Sequence, residues 1–190
     1  MRRFSPTIAL ILGFGMTLKA YAVASTADCA HTPPVFKHSC QRLHQIWYDG
    51  KIQINIHTYA WHNRFLYAAD KIPAYNEHPW GGGLGRSLYD EDGDFQELYA
   101  FAFLDSHKNI EPIAGYGFEK LWHLNDKLSL GPGYTVFLTS RPDIFHAIPF
   151  PGILPLVGIN YDRASVVLIY IPGKFNIGNV LFILAKWAWN

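Results

Sequence analysis

The chain has 190 residues, the length of one domain, and its 16 basic and 15 acidic residues give a formal net charge of +1. This near balance argues against nucleic acid as a partner, because nucleic-acid recognition usually shows a basic patch. Hydrophobic residues make up 49% of the chain and aromatic residues 16%, yet no apolar run reaches the roughly 18 residues of a transmembrane helix. A membrane β-barrel accounts for both facts, since it distributes apolar residues over many short strands.

The N-terminus has the pattern of an export signal. Arg2 and Arg3 are followed by an apolar stretch over residues 7–16 and by an A-x-A cleavage site at residues 20–22. A retained signal anchor is the alternative, but the apolar stretch is short for one. Removal of this segment would leave 13 basic and 15 acidic residues.

Three segments are therefore expected. We predict a signal peptide over residues 1–22, an N-terminal segment with a helix over residues 23–50, and a barrel over residues 51–190. Export of a barrel of this kind predicts location in the cell outer membrane.

Cys29 and Cys40 are the two cysteines of the chain. In an oxidising envelope they are expected to form a local disulfide or to remain without a functional role. A zinc site with His31 and His38 is a third option, although the spacing matches no standard zinc pattern.

An amphipathic helix is predicted to begin at Pro34 and to end near Gly50. Its apolar residues recur at helical spacing, namely Val35, Phe36, Cys40, Leu43 and Trp47. Such a helix either lies in the headgroup layer or packs over an opening of the barrel.

Eight strands are predicted after the helix. They cover residues 52–62, 80–89, 95–104, 111–122, 129–140, 150–160, 163–171 and 179–189. The third strand is apolar on both faces, which is expected of a strand that meets lipid outside and a dry core inside. The predicted fold class is thus all-β, an eight-stranded antiparallel transmembrane β-barrel with an N-terminal amphipathic helix.

Long connections alternate with short ones, as in outer-membrane barrels. Asp92-Gly93 is a strong hairpin signal within the short set. Because odd-numbered strands run in the same direction, His62, Asp105 and Ser106 all arrive at the long-loop end.

Two groups of residues describe the barrel wall. Gly81, Gly83 and Gly85 share one face, as do Gly115 and Gly117; they either hollow a slot for one acyl chain or relieve crowding. The prolines that fall in or beside strands are expected to mark a lateral gate or only strand ends: Pro79, Pro155 and Pro172.

His62 and Ser106 are of the types that acyl transfer requires, a base and a nucleophilic oxygen, with the carboxylate of Asp105 beside them. Adjacent strand residues point to opposite faces, so Asp105 and Ser106 can both touch His62 only if the strand has ended. A protease-type relay is therefore not expected.

Four motifs carry a resemblance to a known family. They are AWHNRF at residues 60–65, YNEHPWGGG at 75–83, EPIAGYG at 111–117 and YIPG at 170–173, with Asn179-Val180 nearby. From about residue 52 to its end the chain resembles the PagP family of outer-membrane lipid A acyltransferases, usually palmitoyltransferases, and in particular its Legionella branch.

The resemblance implies transfer of a palmitoyl chain from the sn-1 position of a phospholipid to a hydroxyacyl chain of lipid A. It implies no cofactor and no metal, and its partners are the phospholipid donor, lipopolysaccharide as acceptor and the outer membrane, with a homodimer left open. It further implies these roles: catalysis by His62, Asp105 and Ser106, measurement of the acyl chain by Gly117, lateral gating at Pro79, Pro155 and Pro172, and lipopolysaccharide sensing by Asp90.

The chain also departs from the family pattern. His57 stands where many members have a proline, Gln96 replaces a histidine linked to lipopolysaccharide recognition, and Phe175 replaces a gating tyrosine. The chain ends in Trp189-Asn190 rather than in an aromatic residue. Alternative functions are an outer-membrane phospholipase, a non-enzymatic barrel for surface protection or adhesion, and a soluble lipid carrier.

Overall fold

The computed structural model describes residues 29–189, so the expected signal peptide lies outside the described residues. Helix α1 spans Pro34–Asp49, as the apolar spacing predicts. Proline at its first position suits the helix start, where a free N–H is not needed. Cys29 and Cys40 form a disulfide with a Cα–Cα distance of 6.0 Å, which fixes the segment before the helix to its second turn. No helix within residues 29–189 is both long and apolar enough to cross a membrane.

Eight antiparallel strands follow, and the last pairs with the first to close a barrel. Their bounds are β1 Lys51–His62, β2 Gly81–Tyr89, β3 Phe95–Leu104, β4 Ile110–Glu119, β5 Leu128–Thr139, β6 Phe150–Tyr161, β7 Ala164–Ile171 and β8 Val180–Ala188. The eight-stranded barrel and its helix confirm the predicted fold class.

One predicted strand is too long. The segment 111–122 leaves the barrel at Glu119, and only Trp122–His123 return to pair with Leu130 and Ser129 of β5. The reason lies in Asp94, whose carboxylate accepts the backbone N–H of Leu121 at 3.0 Å and the ammonium of Lys120 at 2.7 Å. These bonds hold the chain in a turn.

The two ends of the barrel differ. We call the end with the connections 63–80, 105–109, 140–149 and 172–179 the loop rim, and the opposite end, next to α1, the turn rim. At the turn rim, Arg42 of α1 forms an ion pair with Glu91, with an Nη2–Oε2 distance of 2.6 Å.

The outer wall carries exposed apolar side chains, as expected of strands that face lipid. They include Ile56, Leu84, Leu138, Ile153 and Val166, with the exposed aromatic residues Trp80, Trp122, Tyr161 and Trp187.

The inward glycines make room for aromatic rings. A Cβ at Gly81 would collide with Phe103, and one at Gly83 with Phe101. The backbone and Cβ atoms of β3 therefore approach the glycines of β2 closely, and relief of crowding is the interpretation that the structure supports.

A β-bulge between His57 and Tyr59 changes which side of β1 faces inward. Gln53, Asn55 and His57 are buried below the bulge, whereas Ala60 and His62 are buried above it. An extra residue at a bulge reverses the alternation of side chains. His62 consequently faces the interior at the loop rim.

Candidate active site

His62 and Ser106 meet at the loop rim. Ser106 Oγ lies 3.3 Å from His62 Nε2, although 44 residues separate them in sequence. His62 ends β1, and Ser106 belongs to the loop that follows β3. The backbone N–H of Asn76 donates to the Ser106 carbonyl at 2.8 Å, so two rim loops hold the serine in place.

The carboxylate beside the imidazole belongs to Glu77. Its Oε1 lies 3.1 Å from His62 Nδ1 and accepts the backbone N–H of His62 at 3.0 Å. Because a carboxylate accepts hydrogen bonds, we assign the proton of a neutral imidazole to Nδ1. Nε2 then presents its lone pair to the Ser106 hydroxyl.

Arg64 fixes Glu77 in a bidentate ion pair. Its Nη1 and Nη2 lie 2.6 and 2.5 Å from the two carboxylate oxygens. These hydrogen bonds from Arg64 lower the pKa of Glu77 to about 2. Glu77 therefore stays ionised at neutral pH and keeps its orienting bond to His62.

Two tyrosines enclose the imidazole. Tyr75 stacks on His62 with a centroid distance of 4.7 Å and an interplanar angle of 12°, and Tyr67 contacts the ring edge-on at 5.2 Å. Only 1% of His62 is exposed. The ring is therefore held in one orientation. A general base requires this, because it must accept its proton from one direction.

Asp105 lies at the same rim, but its carboxylate turns to its own loop. Oδ1 accepts the backbone N–H groups of His107 and Asn109 at 2.8 and 2.7 Å, and Oδ2 lies 3.6 Å from Nη2 of Arg141. Because β3 ends at Leu104, the two residues that follow diverge: Ser106 points to His62 and Asp105 to Arg141. The carboxylate closes the turn that presents the serine.

Asp105, His107 and Asp143 place potential metal ligands within 4.8 Å of one another. The guanidinium of Arg141 lies against two of them, at 2.8 Å from Asp143 and 3.6 Å from Asp105. One positive charge thus already offsets part of the negative charge of this cluster. The zinc site considered for Cys29 and Cys40 is excluded, because the disulfide between them leaves no thiolate to bind a metal.

A largely apolar cavity of about 70 Å³ occupies the barrel interior. Ile171 of its wall is in register with Val180, which is in register with His62, so the cavity reaches the level of His62 in the barrel. Aromatic and aliphatic side chains dominate the wall: Phe101, Phe103, Phe137, Leu154, Val167 and Phe182. The largely apolar lining is that of a site for an apolar ligand.

His57 lines the same cavity. Its ring stacks on Phe103 at 4.8 Å and meets Phe182 edge-on at 4.9 Å. Gly117, the expected floor, does not line the cavity, because the side chain of Glu97 covers it.

Two seams of the barrel lack ladder pairing near the loop rim. The pairing of β6 with β7 stops at Leu156–Ile169, which leaves Pro155 unpaired on that side. The pairing of β1 with β2 stops at His57–Gly81, next to Pro79.

Pro172 directly follows β7 at the first of these openings, and Phe175 is exposed in the loop beyond it. All three prolines thus lie where neighbouring strands separate.

Asp90 and Gln96 lie at the turn rim, the end opposite His62. Gln96 Nε2 donates to Asp90 Oδ2 at 2.5 Å, and Tyr116 Oη donates to Gln96 Oε1 at 2.8 Å. Asp90 also accepts the backbone N–H groups of Asp92 and Asp94. Both residues stabilise the β2–β3 turn, at a distance from the catalytic candidates.

Sequence reasoning assigned no role to Glu77, Arg64 and Tyr75, although all three lie in its quoted motifs. A usable signal was present. The loop from β1 to β2 must return beside His62, because β1 and β2 are neighbours, and Glu77 is an acidic residue close to that return.

The ion pair between Arg64 and Glu77 predicts an acid-dependent stability. Because the pKa of Glu77 is depressed, the stabilisation is complete above the usual glutamate pKa of about 4.3 and is lost as the pH falls through about 2. The difference in unfolding free energy between the wild type and Arg64→Met should therefore be constant above about pH 5 and shrink below about pH 4. Urea titrations in phospholipid vesicles measure it. Lys71→Met, which removes a cation from the same loop, should show no such trend.

The fold and the site together define a class. A closed barrel with an apolar outer wall, a largely apolar inner cavity and a serine–histidine–carboxylate arrangement at one rim is a membrane-embedded enzyme of the acyl-transfer type. The family model described as "Antimicrobial peptide resistance and lipid A acylation protein PagP" matches residues 42–186. The chain belongs to the PagP family.

Relatives named lipid A acyltransferase PagP are similar over almost the whole chain. The protein of Bordetella parapertussis is 54% identical over 164 residues, which cover 86% of this chain and 90% of the relative. That of Legionella longbeachae is 47% identical, covering 89% and 74%, and one from Legionella pneumophila is 44% identical, covering 98% of each.

Proposed function

We propose that this chain is an outer-membrane acyltransferase that moves a palmitoyl chain from the sn-1 position of a phospholipid to a hydroxyacyl chain of lipid A. The observation that carries the proposal is the contact between Ser106 Oγ and His62 Nε2, at the loop rim of a barrel that encloses a largely apolar cavity. The relatives named lipid A acyltransferase support the acceptor. A hydrolase would need water at the imidazole, whereas Tyr75 and Tyr67 cover the ring.

In the proposed reaction, His62 Nε2 accepts a proton from the attacking hydroxyl, which belongs either to Ser106 or to lipid A. The hydroxyl oxygen bonds to the ester carbonyl carbon, the bond to the glycerol oxygen breaks, and the imidazolium returns its proton to that oxygen. The products are lysophospholipid and an acylated hydroxyl. If Ser106 attacks first, the lipid A hydroxyl repeats the step on the acyl-serine.

Glu77 and Asp105 act as positioning residues in this scheme. Glu77 holds the Nδ1–H tautomer and offsets the positive charge that the imidazole gains during attack. Asp105 shapes the turn that presents Ser106. The cavity takes the donor chain, and the unpaired seams beside Pro79 and Pro155 supply routes for lipids from the membrane.

Mass spectrometry of lipid A tests the proposal. Outer membranes from cells that express the protein should contain a lipid A species heavier by one palmitoyl group than the species in cells without it. The His62→Ala variant provides the matched control. Release of free fatty acid without any such species would instead identify a phospholipase, and unchanged lipids would favour a non-enzymatic barrel.

Replacing Glu77 with glutamine should lower kcat by about 100-fold or more, because an amide can stabilise the wrong imidazole tautomer. KM for the phospholipid should change little, since Glu77 does not line the cavity. Steady-state transfer in detergent measures both constants. Glu77→Asp keeps the carboxylate and should retain more activity than the glutamine variant. A glutamine variant with wild-type kcat would remove Glu77 from the mechanism.

A further inference from the structure

The lower end of the cavity is polar, in contrast to its walls. Glu97 of β3, Lys186 of β8 and Asn55 of β1 line this end. We call these three residues the polar floor. It lies toward the turn rim, several residues along β3 from the catalytic end of the barrel.

The polar floor is held by buried contacts. Lys186 Nζ lies 2.5 Å from Glu97 Oε1, and their side chains are 5% and 4% exposed. Gln53 Nε2 donates to the other oxygen of Glu97, and Lys186 Nζ lies 3.8 Å from Glu119. A carboxylate with partners on both oxygens has little freedom to move aside, because each broken bond would leave a buried charge unpaired.

Glu97 also covers Gly117. The two residues face each other across β3 and β4, and a Cβ at Gly117 would lie 2.8 Å from Glu97 Oε1 and 3.0 Å from its Cγ. The space that the missing side chain of Gly117 leaves is therefore filled by Glu97. A ligand that descends through the cavity reaches the glutamate before it reaches the glycine.

Below the polar floor, a second, polar recess opens at the turn rim. It is lined by Gln53 and Lys186 together with Asp49, Tyr89, Asp162 and Arg163. Lys186 lines both spaces. The floor thus lies between the largely apolar cavity and the polar recess.

We propose that Glu97, held by Lys186, is the residue that limits the length of the acyl chain. This inference rests on the proposed acyl transfer, because it assigns the cavity to the donor chain. Each methylene group that fits above the floor is removed from water and favours binding by about fourfold. A further methylene group would have to displace a buried ion pair, which costs more than that gain.

The test compares donors of different length on matched variants. Phosphatidylcholines with lauroyl, myristoyl, palmitoyl and stearoyl chains are supplied to the folded protein with lipid A, and the transferred chain is identified by mass. Glu97→Ala should raise the rate for a donor two methylene groups longer than the wild-type optimum by at least about tenfold, relative to the optimum donor. Glu97→Gln keeps the volume but loses the ion pair with Lys186, so its shift to longer donors should be smaller than that of Glu97→Ala.

The double variant Glu97→Ala/Lys186→Met guards against loss of folding, because it also removes the buried ammonium that would lose its nearest carboxylate. It should show the same shift to longer donors. An unchanged length preference in both alanine-containing variants would overturn the proposal, as would an equal shift in Glu97→Gln.

A second measurement does not require transfer. Binding of alkylphosphocholines of increasing length to the protein in amphipol should gain about fourfold per methylene group up to a limit, and Glu97→Ala should move this limit to a longer chain. A limit that stays in place contradicts the proposed floor. Failure to acylate lipid A with every donor, alongside a shifted binding limit, would instead contradict the proposed function alone.

Discussion

Replacing His62 with alanine should lower the rate of transfer by about 100- to 10,000-fold, the usual contribution of a positioned general base. The imidazole is the group whose Nε2 faces the hydroxyl of Ser106, and Tyr75 and Tyr67 hold its ring in place. Transfer from a labelled phospholipid to lipid A in detergent measures the loss.

The barrel itself should survive this substitution. Its strands close through backbone pairing, so the variant should keep the altered gel mobility of an unheated barrel. Asn63→Ala, next in sequence, is a suitable comparison for local loop effects. Transfer at the wild-type rate by a folded His62→Ala protein would exclude the imidazole as the base.

If Ser106 is the nucleophile, replacing it with alanine should lower the rate of transfer by at least about 1,000-fold, because a nucleophile and its base act as a unit. The 3.3 Å separation from His62 Nε2 places the hydroxyl at the long end of hydrogen-bond reach, as is common before substrate binds. Rapid quench of the wild type followed by peptide mass analysis should reveal an acyl group on Ser106.

The variants Ser106→Thr and Ser106→Cys distinguish attack by the side chain of residue 106 from direct attack by the lipid A hydroxyl. A cysteine can form a stable thioester, so a trapped adduct on the cysteine variant supports the covalent route. If the alanine variant keeps more than about a tenth of the activity and no adduct is found, the lipid A hydroxyl attacks directly and Ser106 only orients it.

Much of the fold follows from local sequence signals. Apolar alternation and the hairpin signal at Asp92-Gly93 predict the strands, and the direction of travel places His62 and Ser106 at one rim. Both properties depend on short stretches of chain, where side-chain periodicity decides the structure. The same reasoning failed at residues 120–122, because Asp94 draws the N–H of Leu121 out of the ladder over a gap of 27 residues.

The site was predictable only in part, because some of its contacts join residues that are distant in sequence. The pairing of His62 with Ser106 follows from topology, but the partner of Nδ1 depends on the path of an 18-residue connection between β1 and β2. The cover that Glu97 places over Gly117 depends on register and on a lysine 89 residues away. Adjacency to the serine in sequence favours Asp105 over Glu77 as the partner of His62. In the structure, however, β3 ends at Leu104, and the side chains of Asp105 and Ser106 point in different directions.

The irregularity between His57 and Tyr59 makes the spacing of β1 matter as much as its composition. Deleting one residue from this stretch would leave the hydrophobicity of the strand almost unchanged, yet it would rotate Trp61 toward the interior and His62 toward the acyl tails of the bilayer. A homologue that keeps this chemistry is therefore expected to keep the number of residues in β1 between the bulge and His62, even where the residue types differ.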